Sequence, residues 1–476
     1  MTTDGFSTHR SASRRGYWIA LTALMLILFE QVAMGYAMVT PVLPALAAGF
    51  HTSEIAWALT AWGLSGAVLT PLFGKLADLH GKRRMLLIAL AITALGSAVC
   101  FSAPNFAVFL VGRVLMGVST TMGLLIYALM RDIFPKRYLG LAISVTYTGV
   151  GLFSIAAPFI AGGLNDAFGF HAVFGFLCGY PFVCAVIVLF FVPESSVRVH
   201  SKVDVPGLVL LAAGASGLNL GIGQGGTWGW LSPLTLACLI GGVVVLVLWL
   251  VYERARRDNH PLIEFDLLKS RAVVALMFAG SLIVSLASLY SILNFTLLQM
   301  PVIHGVGFGL TTAGAALWTF GGGIAGLAGG LSVGTLAKRT GFRFLLVCGS
   351  VFIGVVAVYL AFQHTHPWQL ITATILFGLG GGAVAGVMPN LVVENVPSHQ
   401  QGAAGGLINL AQGVGGSVWT QLLFTVMLST VVTFANGTPV YNNASFVAGY
   451  LFTAACAFAG SLLALLIPRH KQQLTE

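Results

Sequence analysis

Long apolar segments leave this chain little choice of environment. Fourteen segments are apolar over about 18 residues or more, and about 20 such residues span the core of a bilayer as a helix. Membrane β-barrels instead alternate apolar and polar residues over about ten positions per strand. The sequence therefore predicts an all-α polytopic membrane protein. The predicted spans are 17–43, 55–73, 85–103, 106–130, 139–163, 171–192, 205–223, 233–252, 272–299, 311–333, 344–362, 367–389, 405–432 and 444–467.

The basic residues test this number of spans. Cytoplasmic loops of membrane proteins are rich in Lys and Arg. With fourteen spans and a cytoplasmic N-terminus, every basic residue except Arg113 falls in a loop or tail on one side, and both termini are predicted to be cytoplasmic. Only 8% of the residues are charged, against about 25% in soluble domains. The net charge of +9 therefore reflects orientation in a membrane and not nucleic-acid binding.

An internal repeat indicates how the spans are grouped. The segments Gly74–Leu86 and Gly334–Leu346 share six identical residues at a fixed offset, and eight spans fit between them. Parallel repeats build the two halves of some transporters, so we predict two six-helix bundles related by a pseudo-two-fold axis and joined by two inserted helices. The predicted divisions are a cytoplasmic tail 1–16, an N-terminal bundle 17–198, a linker with the inserted helices 199–258, a C-terminal bundle 259–467 and a cytoplasmic tail 468–476.

Local motifs resemble the major facilitator superfamily. Gly74–Arg84 resembles the family's cytoplasmic loop between helices 2 and 3, and Arg113–Gly117 resembles its helix-4 arginine motif. The segment Gly149–Gly162 resembles the helix-5 motif typical of antiporters. The inserted helices and the stretch Leu297–Gly314 resemble the branch of fourteen-helix drug:proton antiporters. The resemblance implies transport by alternating access.

Three positions depart from the pattern of that branch. Ala157 stands where the antiporter motif usually has Gly before Pro, and Phe170-His171 stands where Trp-Arg-Trp is common. The acidic residue of the first helix, Glu30, comes earlier than usual. This last departure leaves the charge of the substrate and the details of coupling open.

Two charged residues lie inside the predicted spans, Glu30 and Arg113. A charge at the bilayer centre costs about 2.5–3.5 kcal/mol on insertion scales, so a functional role is the default interpretation. Helical rise places Glu30 about 20 Å from the cytoplasmic face and Arg113 about 10 Å from the outer face, which is one level in a core of about 30 Å. We predict that Glu30 exchanges a proton against substrate and that Arg113 tunes it. The alternative is a purely structural pair.

The resemblance assigns a conformational latch to the first repeat. Asp78 is expected against a helix N-terminus of the other bundle, where the helix dipole favours an anion. Helix 5 is expected to seal one face of the cavity, with packing alone as the alternative, because small residues let membrane helices pack closely. The predicted latch residues are Gly74, Asp78, Gly81, Arg83 and Arg84, and the predicted residues of the antiporter-type helix are Gly149, Gly151, Pro158 and Gly162.

Polar and methionine side chains on the same helices are candidates for the substrate cavity, since Met suits promiscuous apolar contact. These candidates are Met34, Met38, Thr120, Tyr127, Asn294 and Gln299. The Cys residues lack paired spacing, and the His residues lie in loops or at span ends, where His364-Thr-His366 is the one pair that could bind a metal. There is no Walker-type loop for a nucleotide. We therefore predict neither a metal site nor a cofactor.

The sequence thus predicts a proton-coupled antiporter of the cell (inner) membrane that exports lipophilic small molecules, a multidrug efflux activity of the kind that confers antibiotic resistance. A dedicated exporter or a proton-coupled uptake symporter for one metabolite or lipid is the alternative. We expect no enzymatic activity and no nucleic-acid partner. We also expect a monomer whose partners are substrate, protons and the lipid bilayer.

Overall fold

The computed structural model describes residues 5–195, 204–255, 265–302, 306–397, 400–430, 433–435 and 438–468. The regular elements of the described residues are helices, apart from an antiparallel ribbon of Thr433–Ala435 (β1) and Thr438–Val440 (β2). The predicted domain boundaries after residues 198 and 258 lie outside the described residues, as do most of the C-terminal tail and the first four residues.

Eighteen α-helices and two short 3₁₀ segments, Thr40–Val42 and Gly117–Thr121, follow one another in the described residues. The first nine helices are α1 (Gly5–Phe29), α2 (Gln31–Ala37), α3 (Leu43–Phe50), α4 (Trp57–His80), α5 (Lys82–Phe101), α6 (Phe106–Met116), α7 (Met122–Ile133), α8 (Lys136–Phe168) and α9 (Phe170–Phe191). The other nine are α10 (Val205–Trp228), α11 (Pro233–Ala255), α12 (Phe265–Leu268), α13 (Arg271–Gln299), α14 (Thr312–Thr340), α15 (Phe342–Phe362), α16 (Pro367–Asn395), α17 (Gln401–Leu428) and α18 (Asn443–Ala464).

Twelve segments of the described residues are long and apolar enough to cross a membrane, judged by length and composition. The remaining two predicted spans, 55–73 and 405–432, are largely helical as α4 and α17, which have 24 and 28 residues but are not among the twelve. The structure therefore confirms an all-helical membrane fold with at least twelve candidate spans.

Two predicted spans are interrupted within their predicted bounds. The span 17–43 leaves the α-helix after Ala37, where the 3₁₀ segment Thr40–Val42 follows α2. Glu30, between α1 and α2, keeps helical backbone angles and hydrogen bonds. The span 106–130 contains the 3₁₀ segment Gly117–Thr121 between α6 and α7. Short 3₁₀ stretches inside helices often mark functional hinges, and transporters form binding sites from discontinuous helices. The two interior charges lie on these two broken helices.

Helices α14 and α16 pack at backbone distance. A Cβ atom added to Gly378 would overlap the carbonyl of Gly322, and a Cβ atom added to Gly382 would overlap the carbonyl of Gly326. Small residues let membrane helices approach this closely, and van der Waals packing then holds them together. Glycine spacing therefore fixes one wall of the predicted C-terminal bundle.

The predicted inserted helices, α10 and α11, form a hairpin beside the two bundles. Asn219 of α10 donates from Nδ2 to Ser417 Oγ of α17 at 3.1 Å. Gln224 of α10 donates from Nε2 to Oε1 of Glu54, just before α4, at 2.8 Å. The hairpin thus contacts one helix region from each predicted bundle.

Candidate functional site

Glu30 is buried between α1 and α2 in the first span. It is 3% exposed, and its Oε2 atom is buried without a hydrogen-bond partner among the described residues. One turn earlier, the Tyr180 hydroxyl donates to the carbonyl of Ile27 at 2.8 Å, so α9 packs beside this part of the span. A buried carboxyl oxygen without a partner is costly, which marks Glu30 as a functional candidate.

Arg113 ties three helices together. It is completely buried, and its guanidinium donates from Nε to the Ala58 carbonyl at 2.5 Å and from Nη2 to the Gly35 carbonyl at 3.0 Å. The Gly35 carbonyl accepts this bond because α2 ends two residues later, where the N–H of Val39 bonds Tyr36 instead. The guanidinium also lies 5.7 Å from the centroid of a tryptophan ring on α4. The break in the first span therefore creates the acceptor that positions this cation.

The structure does not join Glu30 and Arg113 as a pair. The ion pairs of the described residues both involve Lys82. Arg113 reaches the first span at Gly35, five residues beyond Glu30, which corresponds to about 7.5 Å along a helix. The two interior charges thus occupy neighbouring but separate positions.

Asp78 of the predicted latch bonds within its own bundle. Its Oδ1 lies 3.7 Å from Lys82 Nζ, and Lys82 Nζ lies 2.6 Å from Oδ2 of Asp132 at the end of α7. Among the described contacts Asp78 does not reach a helix N-terminus of the other bundle, so the expected latch is not engaged in this conformation.

The other latch residues shape the turn between α4 and α5. Gly81 adopts φ 110°, a conformation that glycine tolerates, and a Cβ atom on Gly74 would lie 2.8 Å from a leucine methyl of α7. The backbone N–H groups of Arg83 and Arg84 donate to Glu194 Oε1 and Oε2 at 3.0 and 3.2 Å. We call this end of the molecule the Gly81 end.

At the opposite end of the molecule, Asp166 caps α14 of the other predicted bundle. We call this end the Asp166 end. Asp166 lies near the end of α8 and accepts hydrogen bonds from the backbone N–H groups of Thr312 and Ala313, at 3.1 and 2.9 Å. These N–H groups belong to the first turn of α14, where a helix lacks internal acceptors and its dipole favours an anion. The capping predicted for Asp78 is thus found for Asp166, at the other end of the molecule.

Side-chain bonds continue this contact between the bundles. Thr312 Oγ1 donates to Gln299 Oε1 at 3.0 Å and accepts from Asn165 Nδ2 at 2.9 Å. Gln299 Nε2 in turn donates to the carbonyl of Pro41 at 2.6 Å. Gln299, predicted as a cavity residue, therefore belongs to a closed seal at the Asp166 end.

The predicted antiporter-type helix also packs against the other bundle. A Cβ atom on Gly162 would lie 2.7 Å from the backbone of Ala313, and a Cβ atom on Gly151 would lie 2.9 Å from a leucine methyl of α14. Pro158 lines a cavity at the same junction, and Gly149 lies within α8. One continuous hydrophobic cluster crosses both predicted bundles here. A second cluster stays within the N-terminal bundle, and a third joins α4 to α10 and α17. The described conformation is closed at the Asp166 end.

The cavity beside Pro158 lies between α8, α13, α14 and α16 and encloses about 300 Å³, at the lower end of the range of ligand pockets, about 300–1,000 Å³. Of the predicted cavity residues, Asn294 lines it. Met34 and Met38 are instead completely buried in the core. The Thr120 hydroxyl donates to a backbone carbonyl of its own 3₁₀ segment, and the Tyr127 ring packs on a phenylalanine of α1 at 4.9 Å between centroids.

A polar network at the cavity was missed by the sequence analysis. The Tyr290 hydroxyl and Thr374 Oγ1 are hydrogen-bonded at 2.9 Å, Asn294 Nδ2 donates to Thr374 Oγ1 at 3.4 Å, and the Tyr450 hydroxyl donates to Asn294 Oδ1 at 2.9 Å. Tyr290 could have been found, because it lies one turn before Asn294 on the same helix face. The other two residues come from α16 and α18, and no sequence signal connects them.

Comparisons with known proteins agree with this architecture. The sequence model of the Major Facilitator Superfamily matches residues 25–420. The multidrug efflux pump LfrA of Mycolicibacterium smegmatis is 29% identical over 88% of this chain and 82% of its own length. The uridine/deoxyuridine transporter of Lactococcus lactis is 28% identical over 85% and 87%, and the tetracenomycin C resistance and export protein of Streptomyces glaucescens is 28% identical over 89% and 78%. A crystal structure of a peptide transporter, POT, in complex with sulfate has the same fold, with a TM-score of 0.67, 16% identity and coverage of 94% and 93%.

Proposed function

Because this chain belongs to the Major Facilitator Superfamily, we propose that it is a proton-coupled antiporter that exports lipophilic small molecules by alternating access. The observation that carries the proposal is Glu30, a buried acid in the interior of the first span, together with an uncharged cavity at the junction of the bundles. Relatives that are drug efflux pumps or export an antibiotic support the direction of transport. Antibiotic resistance is the physiological role this implies.

The proposal includes a membrane topology. The helices α4 and α17 complete fourteen spans, arranged as two six-helix bundles with α10 and α11 inserted between them. Most basic residues lie at the Gly81 end, so the positive-inside rule places that end and both termini in the cytoplasm. The membrane proposed is the cell (inner) membrane. The Asp166 end then faces outward, and the described conformation is closed to the outside.

In the proposed cycle, Glu30 exchanges a proton while the bundles rock about the cavity. Arg113 holds the broken first span against α4 and α6, so a change at Glu30 is passed to the bundle contacts. The latch residue Asp78 engages the other bundle when the Asp166 end opens. No cofactor is required, since the electrical gradient alone supplies about 2.3 kcal/mol per charge per 100 mV.

Transport in proteoliposomes tests the proposed function. We expect a lipophilic substrate to accumulate in liposomes whose lumen is acidic, because protons leave the lumen as substrate enters. A proton ionophore should abolish this accumulation. Equal accumulation with and without the imposed pH gradient would contradict proton-coupled antiport.

The alternative is a dedicated carrier for one metabolite, such as an uptake symporter. One finding favours it: a relative with coverage of more than four fifths of both chains is a uridine/deoxyuridine transporter. Counterflow of labelled uridine into the same proteoliposomes separates the two functions. Uridine counterflow without lipophilic substrate transport would support the alternative.

The seal at the Asp166 end leads to a prediction about conformation. Asp166→Asn removes the negative charge from the start of α14 and leaves one side-chain acceptor for two N–H donors. Hydrogen bonds to charged groups contribute about 1.5–3 kcal/mol, so we expect the outward-open population to rise about tenfold.

Distances between spin labels measure this change. Cysteines introduced at Pro104 and Thr365, in loops at the Asp166 end of the two bundles, would carry the labels in a background without native cysteines. We expect a longer distance to gain population in Asp166→Asn. The matched control, Glu394→Gln, makes the same carboxylate-to-amide change at the Gly81 end and should leave the distribution as it is. An unchanged distribution in Asp166→Asn would refute the role of Asp166 as a seal.

A further inference from the structure

The cavity between α8, α13, α14 and α16 has no ionisable side chain other than tyrosine. None of its lining residues is Asp, Glu, Lys, Arg or His. A charged ligand entering this space would lose its hydration without gaining a counter-charge, and burying an unpaired charge is costly. The cavity therefore selects against ions and favours neutral molecules.

Its polar groups are arranged to donate a hydrogen bond. A tyrosine hydroxyl carries one proton and a primary amide carries two. The buried Tyr450 hydroxyl donates to Asn294 Oδ1, which fixes the orientation of the amide and directs Nδ2 toward Thr374 and the cavity. Thr374 accepts one amide proton of Asn294 over a long distance of 3.4 Å. Tyr290 is also within hydrogen-bonding reach of Asn294, so an acceptor on a ligand would take the second amide proton in place of this contact.

The walls of the cavity are flat and aromatic. Tyr290 and Phe377 stack with their ring centroids 3.7 Å apart and their planes 10° apart, and both line the cavity together with Phe295 and Phe320. Aromatic faces prefer offset stacking or edge contacts with other rings. Glycines of α14 and α16 complete the lining, and at Gly381 the nearest atom to a Cβ position is 3.9 Å away.

We propose that this cavity binds neutral, planar aromatic molecules that carry a carbonyl group, and that Asn294 Nδ2 donates a hydrogen bond to that carbonyl. Asn294 is then the residue that determines specificity, and Tyr450 is a positioning residue that holds its amide. This proposal rests on the proposed function, because it takes the cavity to be the transport site.

Three fluorescent tricyclic probes of nearly equal shape test this proposal by equilibrium binding to the purified full-length protein in detergent. Anthracene has neither carbonyl nor charge, 10-methylacridone is neutral with a carbonyl, and 10-methylacridinium is a permanent cation. We expect 10-methylacridone to bind at least about tenfold more tightly than the other two, which corresponds to one hydrogen bond of about 1.4 kcal/mol. Equal or tighter binding of 10-methylacridinium or anthracene would overturn the proposal.

Two variants identify the residues responsible. Asn294→Leu keeps the approximate volume and should bring the affinity of 10-methylacridone down to that of anthracene, while the affinity for anthracene stays the same. Tyr450→Phe should reduce the same preference in part, because the amide loses its fixed orientation. An unchanged preference in both variants would refute the role of Asn294. If Asn294→Leu does not fold, the probe series on the unmodified protein and on Tyr450→Phe still decides.

The binding assay is independent of proton coupling. A preference for 10-methylacridone with no transport driven by a pH gradient would contradict the proposed function and leave the site intact. Transport driven by a pH gradient with no preference among the probes would contradict the site and leave the proposed function intact.

Discussion

Replacing Glu30 with Gln is expected to reduce transport driven by a pH gradient to the level of empty liposomes. The amide has nearly the shape of the carboxyl group but cannot exchange a proton in the working pH range. Glu30 is the one acidic side chain in the interior of the predicted spans, and the other buried acids of the described residues, Asp204 and Glu253, lie at the Gly81 end of α10 and α11. Substrate counterflow without a gradient should persist, because it needs the cavity and the rocking motion but no net proton movement.

Transport driven by a pH gradient and counterflow without a gradient are measured on proteoliposomes from the same preparation of each variant. Glu394→Gln is the matched control, because it makes the same chemical change at a partly exposed site near the end of α16. This control should retain both activities. Full gradient-driven transport in Glu30→Gln would show that the proton is carried elsewhere, whereas loss of counterflow as well would assign Glu30 to binding or folding.

A single methyl group between α14 and α16 should have the largest effect on stability. The Cβ atom of Gly382→Ala would overlap the carbonyl of Gly326. Neither a Cβ atom nor a backbone carbonyl can rotate away inside a helix, so the two helices must separate. Overpacking costs about 1–3 kcal/mol, occasionally more, even where side chains can adjust. We expect a marked fall in the thermal unfolding temperature in detergent, and weaker probe binding because the cavity lies between the same helices.

A glycine on α14 that faces open space provides the control with the opposite sign. A Cβ atom on Gly334 would meet nothing within 4 Å, and Ala favours a helix over Gly by about 1 kcal/mol. Gly334→Ala should therefore leave the unfolding temperature the same or raise it slightly. Equal changes in the two variants would mean that close packing of α14 on α16 does not stabilise the protein.

The helical membrane fold could be predicted because length and charge placement are properties of the sequence itself. The length of the apolar segments does not locate the breaks, although Pro41 and the hydroxyl residues of Gly117–Thr121 lie at them. The bond from Arg113 to the Gly35 carbonyl connects residues 78 positions apart, and only the folded chain brings them together.

The candidate site was predicted only in part, because most of its contacts join residues that are far apart in the sequence. Asn294 was identified because a polar residue inside an apolar span is conspicuous. Asp166 was not, since an acid just beyond a predicted span is expected simply to face water, and its partners on α14 lie 146 and 147 positions away. Tyr450 is 156 positions from Asn294, and an aromatic residue in an apolar helix gives no sign of a polar contact.

The α10–α11 hairpin covers one of the two junctions between the bundles and leaves the other uncovered. One junction, between α4 and α17, is covered by the hairpin through the contacts of Asn219 and Gln224. At the other, between α8 and α14, no described helix packs on both in this way, and the cavity lies at that junction. In a bilayer the α8–α14 face would therefore contact the acyl chains directly, whereas the α4–α17 face would contact the hairpin.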